Sequence, residues 1–285
     1  MENIPVRYIQ ATQQEPGFSG SFSIREVRGL LAGKDMVQAL HRHDFFYLLA
    51  LEKGAGEHEI DFASYEVHDH SVFFMRPGQV HQLRLNAGST GYLLQFKADV
   101  YHPSDQVSHQ SLRKASHRSV YQLDVNGFKK VLSVLTYIFQ EYTDQQEGYQ
   151  EVIRANLGIF FIELVRQQHP STTKNVNPYA QERLEEFLEL LATHIAVHKQ
   201  VTHYADMMHL SPYQLNAITK ATLGKTCSEL INEHIMLEAK RYLLATTNQV
   251  SQIAYQLGYE DVSYFIRLFR KHTGHSPEAF RHNFR

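Results

Sequence analysis

Tryptophan is absent from these 285 residues, and cysteine occurs once, at Cys227. A lone cysteine excludes an internal disulfide framework and suits a reducing compartment. At a helix start it reads as a small buried hydrophobe. No apolar run reaches the roughly 18 residues that a membrane-spanning helix needs. The opening Met1-Glu2-Asn3-Ile4-Pro5 has neither the basic start nor the apolar core of a secretory signal. A cytoplasmic protein with no membrane partner is expected. A basic excess is lacking as well: 28 Lys and Arg face 30 Asp and Glu, a formal charge of -2. That argues against a broad basic surface for nucleic acid. Positive charge is local instead. From Gly258 onward Arg267, Arg270, Lys271, Arg281 and Arg285 oppose Glu260, Asp261 and Glu278, five against three.

What is present is apolar patterning of two kinds. Length allows about two domains, and 43% hydrophobic residues can build ordinary cores. In the first hundred residues, segments 45–51, 56–62, 71–75 and 91–96 are aromatic-rich or alternating and are split by Gly, Pro and Asp. They predict short strands in a sandwich or small barrel. From about Val125 the period becomes helical. Phe128, Val131, Leu132, Leu135, Ile138 and Phe139 form one stripe, and a second helix carries Val152, Leu157, Ile159, Phe160, Ile162, Leu164 and Val165. Residues 169–178 have linker composition, with two prolines. The expected layout is an α+β multidomain chain: 1–168, a linker 169–178, and an all-α segment 179–285.

Within the all-α segment a single pattern occurs twice. Val201, Tyr204, Ala205, Met208 and Leu210 keep a helical period, and so do Val250, Ile253, Ala254, Leu257 and Tyr259. Each set is followed by a tight turn and a new amphipathic run, one carrying Leu215 and Ile218, the other Phe265, Leu268 and Phe269. This predicts two helix-turn-helix units, each with a second helix whose outer face is free to enter a DNA major groove. Between them Ile231, Ile235, Ala239 and Tyr242 mark a long helix that would hold the two heads at a set distance. Ser211-Pro212 and Ser276-Pro277 each offer an N-cap hydroxyl and a first-turn proline.

Glu238-Ala239-Lys240-Arg241, the run Ile253 to Tyr259, Ser263-Tyr264-Phe265, Arg267, Phe269-Arg270 and the run Thr273 to Pro277 resemble the signature of AraC/XylS-type transcriptional regulators. The resemblance implies a bipartite DNA-binding domain joined to a sensor domain, with promoter DNA, a small-molecule effector and RNA polymerase as partners. By that similarity the base-reading candidates are Tyr213, Asn216 and Ala217 in the first unit and Val262, Ser263, Ile266 and Arg267 in the second. Arg267 suits guanine and Asn216 adenine, each bidentate, whereas Lys220, Arg270 and Lys271 suit phosphates. Ala217 departs from the family, where a longer polar residue is common, and Thr219 stands where an aromatic is common. The helical pair between Val125 and Arg166 resembles the family's dimerisation segment, and a homodimer is expected.

His41-Arg42-His43-Asp44 with Pro77-Gly78-Gln79-Val80-His81 resembles a small cupin-like barrel, the usual sensor of this family. Two residues apart on a strand, His41 and His43 point the same way. A cupin enzyme would keep a glutamate four or five residues beyond His43, where this chain has Tyr47 and Leu48, and Glu57 is out of pattern. No metal, no cofactor and no catalytic residue are therefore expected. His41, His43, Tyr47, Phe74 and His81 are the effector-site candidates. Two rival readings remain open: a metal-dependent cupin enzyme fused to a DNA-binding tail, and a regulator whose barrel only dimerises.

Overall fold

The computed structural model describes residues 5–9, 20–101, 106–167 and 177–284. The chain divides into two compact units, one of Ile4–His169 and one formed chiefly by Pro170–Arg285.

The first unit holds ten strands among its described residues: β1 (Val6–Arg7), β2 (Phe22–Glu26), β3 (Met36–His43), β4 (Phe46–Lys53), β5 (Gly56–Ile60), β6 (Ala63–Val67), β7 (Ser71–Met75), β8 (Val80–Leu85), β9 (Thr90–Phe96) and β10 (Val120–Gln122). They form two five-stranded sheets, ordered β1-β3-β8-β5-β6 and β10-β7-β4-β9-β2. Short helix α1 (Val27–Leu31) follows β2, and helices α2 (Gln106–Ser116), α3 (Val125–Asp144) and α4 (Tyr149–Arg166) complete the unit. This is the cupin-like barrel with packed helices, although α2 makes a third helix beside the two expected.

The second sheet is buried on both faces, which explains why β4, β7 and β9 read as unbroken apolar runs. Because side chains alternate along a strand, Tyr47, Leu49, Leu51, Phe73, Met75 and Leu93 face the other sheet. Leu48, Ala50, Val72, Phe74, Leu94 and Phe96 face the helices. Against them pack Phe128, Leu135 and Ile138 of α3 and Leu157, Phe160 and Phe161 of α4. The α3 stripe considered for dimerisation is thus spent inside the unit: Phe128 and Leu135 are buried, and Leu132 and Phe139 pack against the same core.

Of the expected linker 169–178, all but the last two residues lie outside the described residues; Asn177 and Pro178 open α5 (Pro178–His194), the Asn177 side chain accepting from Tyr179 N–H. Then come α6 (Val201–Met207), α7 (Pro212–Leu223), α8 (Cys227–Ala245), α9 (Val250–Gln256), α10 (Val262–Thr273) and α11 (Pro277–Asn283). Their starts are the ones the side chains favour. Ser211 and Thr226 form capping boxes with Gln214 and Glu229, and Asp261 and Ser276 cap α10 and α11.

The turn between the two helices of each unit is built the same way. Leu210 N–H donates to Ala205 O at 2.8 Å, and Tyr259 N–H donates to Ala254 O at 2.9 Å. Both turns need a left-handed residue, His209 at φ +54° and Gly258 at φ +73°. Glycine is obligatory only in the second, where a Cβ would run into the carbonyl oxygen of Ala196.

Candidate functional sites

The barrel site begins with strand register. On adjacent strands His41 lies directly opposite His81, and Ile60 is also opposite His81, so His58, two residues back, is its diagonal neighbour. His43 sits two residues beyond His41 on the same face. Four imidazoles from β3, β5 and β8 therefore meet on the inner face of one sheet, each at most 5% exposed. Tyr47 comes from the facing sheet and stacks on His43 with ring centroids 5.3 Å apart.

The nitrogens are close. His43 Nε2 lies 2.8 Å from His81 Nε2, and His58 Nε2 lies 2.8 Å from His81 Nδ1. His41 Nδ1 donates to Ala39 O at 2.8 Å. That leaves His41 Nε2, His43 Nδ1 and His58 Nδ1 buried without a hydrogen-bond partner, as is the Tyr47 hydroxyl. An orphaned buried polar atom costs about 1–3 kcal/mol. Burial first, and the neighbouring imidazoles or Arg7 in support, push His41 down to about 4 and His43 and His58 down to about 3. His81 is held well below its usual value by the same causes. The cluster is neutral, with lone pairs available.

A cavity of about 410 Å³ reaches this cluster at His43 and Tyr47. Its other walls are Arg7 and Tyr8 from the start of the chain, Arg25, Gln38, Phe45, Leu93 and Gln95. Two guanidinium groups line it and, among the described residues, no carboxylate does. Arg25 donates to Gln95 Oε1 at 3.5 Å, and no ion pair to Arg7 or Arg25 occurs among the described residues. Buried Gln38 Oε1 also lacks a partner.

Of the effector-site residues expected from sequence, His41, His43, Tyr47 and His81 meet at this place. Phe74 does not. It faces the helices and stacks on Phe161 with centroids 5.8 Å apart, while Phe73 faces the histidines, 4.7 Å from His58. With both faces of β7 buried, hydrophobicity carries no parity and the choice between neighbours is blind. Sequence reasoning missed His58, Arg7 and Arg25. The alternation Glu57-His58-Glu59-Ile60 does set His58 on the apolar side with Ile60, a signal that was there to read.

The second site is the outer face of α7 and α10. Tyr213 is 84% exposed, and Ala217 and Lys220 are exposed beside it. Asn216 is engaged: its amide donates to Pro212 O at 3.0 Å and its Oδ1 accepts from Cys227 N–H at 3.0 Å. It ties α7 to the first turn of α8, whose leading N–H groups have no partner within the helix. On α10, Ser263, Arg267, Arg270 and Lys271 are exposed, Val262 and Ile266 half-buried. Arg267 lies 3.9 Å from Asp261, with 69% of its side chain in solvent. Tyr264, half-exposed on α10, was not among the expected residues. Thr219, where an aromatic was anticipated, is buried and lies 3.5 Å from Cys227 Sγ. Both α7 and α10 owe their outward aim to the anchors beneath, Leu215 and Thr219 in one, Phe265 and Phe269 in the other.

Comparison with known proteins places a named domain on each site. Residues 30–123 match the model of the AraC-like ligand binding domain, and residues 204–283 match a helix-turn-helix domain. Across most of its length the chain is similar to the HTH-type transcriptional activator RhaS of Escherichia fergusonii, 24% identical over 245 residues, 85% of this chain and 86% of that one. It is also similar to the HTH-type transcriptional activator RhaR of an Enterobacter species, 24% identical over 260 residues, 87% and 89% of the two chains. Among solved structures, ToxT from Vibrio cholerae aligns with 92% of this chain and 97% of its own at 15% identity and a TM-score of 0.43.

Proposed function

We propose that this chain, by both of its domains an AraC-family transcription regulator, is switched by a small polar effector bearing an anionic group and bound in the barrel cavity. The observation that carries this reading is the pairing of Arg7 and Arg25 around a cavity of about 410 Å³ whose wall, among the described residues, carries no carboxylate. A guanidinium without an acidic partner in a concave site is suited to a carboxylate or phosphate, which it meets with two parallel hydrogen bonds. The unpaired Gln38 Oε1 and Tyr47 hydroxyl suit hydroxyl groups on the same molecule. Effector binding shifts the population toward the form that occupies the promoter, and, as the names of RhaS and RhaR suggest, the outcome is activation, through contact with RNA polymerase. No reaction is assigned to the barrel. No helix among the described residues is long and apolar enough to cross a membrane, and the proposed place of work is the cytoplasm.

In this reading α10 supplies the principal base contact through Arg267, with Ser263 beside it, and Arg270, Lys271 and Lys220 neutralise phosphates. The working form is a homodimer. With the α3 stripe buried, the surface offered for it is the outer side of the α3–α4 pair, where Tyr137, Ile159 and Ile162 stay 45%, 49% and 38% exposed.

The test of the effector class is a thermal-shift series with hydroxycarboxylates and their matched neutral polyols. Acids should stabilise the protein where the neutral partners do not, and Arg25→Ala should remove the response while leaving the unliganded midpoint in place. Equal shifts from acid and neutral members, or an undiminished response in Arg25→Ala and Arg7→Ala, would refute the anionic effector.

A further inference from the structure

The four-histidine cluster has a proton problem that its own hydrogen bonds do not solve. Eight ring nitrogens are present, and three of them, His41 Nε2, His43 Nδ1 and His58 Nδ1, are buried without a partner. His41 Nδ1 carries its proton toward Ala39 O, so its Nε2 is a bare lone pair that meets no donor among the described residues. His43 Nε2 and His81 Nε2 face each other at 2.8 Å, so one of the two must spend its proton there and turn its other nitrogen into an acceptor.

One occupant gives His41 Nε2 a partner and ends the contest between His43 Nε2 and His81 Nε2, leaving the Nδ1 atoms of His43 and His58 as the second nitrogens of their rings. We infer that His41, His43 and His81, each through Nε2, hold a divalent first-row transition ion of the zinc type, with His58 as the outer hydrogen-bond partner that orients His81. With an ion in place every ring takes the same neutral tautomer. His41 Nδ1–H donates to Ala39 O, and His81 Nδ1–H donates to His58 Nε2 across the observed 2.8 Å. Metal-bound histidines commonly donate their second N–H in this manner.

The donor set fits. One nitrogen from each of His41, His43 and His81 lies within 4.8 Å of the others. Nitrogens at about 2.0–2.1 Å from one ion, at angles between square and tetrahedral, lie roughly 2.9–3.4 Å apart. The His43–His81 separation of 2.8 Å is close to the lower end of that spacing, and the 4.8 Å bound on the set leaves His41 to close in when the ion binds. Three imidazoles without a carboxylate suit zinc, cobalt, nickel or copper over magnesium or calcium. The expectation of a metal-free barrel rested on the missing carboxylate near Tyr47. His58, brought in by β5, supplies the outer support, and three neutral nitrogens suffice for the inner set. Bound there, the ion supplies a Lewis-acidic position beside the cavity wall at His43 and Tyr47. The inference is independent of the effector reading, because uptake is measured with no effector present.

The experiment uses full-length protein made without a polyhistidine tag, stripped with a chelator and titrated with cobalt(II) chloride. Expected are one cobalt per chain at micromolar or tighter affinity, a visible absorption band of nitrogen-ligated cobalt, and a higher thermal midpoint. His41→Gln and His81→Gln should abolish band and thermal shift together. His58→Gln should keep one ion but weaken binding about 10–100-fold. His198→Gln, in the helical unit, should change nothing. Folding of each variant is followed by circular dichroism, and the wild-type titration stands without the variants. Folded wild-type protein that takes up no cobalt below millimolar concentration overturns the inference. So does a band that survives in both His41→Gln and His81→Gln.

Discussion

Arg267 and Asn216 were expected to do the same work from two different helices, and their surroundings separate them. Arg267 stands in solvent with only a 3.9 Å approach to Asp261, so its guanidinium is available to guanine. Asn216 Oδ1 accepts from Cys227 N–H, and one of its two amide N–H groups donates to Pro212 O. Arg267→Ala should weaken specific DNA binding by ~1–3 kcal/mol, about 5- to 150-fold, with an unchanged melting midpoint. Asn216→Ala should instead lower the stability of the helical unit by about 1 kcal/mol, because a helix-start N–H loses its partner. Fluorescence anisotropy on a selected operator, alongside chemical denaturation, separates the two. A binding loss for Asn216→Ala equal to that of Arg267→Ala, at unchanged stability, would restore Asn216 as a reading residue.

At the scale of the element, α3 and α4 show how one helix pair serves two surfaces. The inner face of α3, with Phe128, Leu135 and Ile138, packs beneath the second sheet, and α4 presses Phe160 and Phe161 into the same layer. A stripe of that width reads in sequence as one thick apolar face, with nothing to say whether a sheet or a second chain covers it. The sheet covers it. Leu135→Glu would therefore bury an unpaired carboxylate at a fully enclosed position and should cost about 4 kcal/mol or more, giving insoluble or unfolded protein. Ile159→Glu and Ile162→Glu sit on the exposed side and should leave the fold intact while halving the mass seen by light scattering. A soluble, folded Leu135→Glu protein would contradict the packing, and an unchanged mass in the double isoleucine variant would remove α4 from the dimer surface.

Across the whole molecule the charge balance decides how DNA is held. With a net charge of -2 the protein has no general field to draw it to a polyanion, and attraction rests on a few cations of the reading helices. The salt dependence of operator binding should accordingly be shallow for a double-headed protein. Each of Arg270→Ala and Lys271→Ala should reduce the slope of log K against log salt concentration by about 1 if it neutralises one phosphate. Titrations across a salt series check this, and a slope unaltered in both variants would take α10 off the backbone.

Sequence alone determined the order of the two architectures, the repeated helix-turn-helix, the caps at Ser211 and Ser276, and the pairing of His41 with His43 on one face. All of these are local: they follow from periods of two and 3.6 residues and from capping chemistry between neighbours. Only tertiary structure decided that Phe73, not Phe74, faces the histidines, because a strand buried on both sides hides its parity. Tertiary structure also spent Asn216 on α8 and the α3 stripe on the sheet. It brought Arg7, Arg25 and Gln95 to one cavity wall and set His58 beside His81 through the pairing of β5 with β8. Those are meetings between residues far apart in the chain, and strand register and helix docking, which a single sequence does not encode locally, are what bring them about.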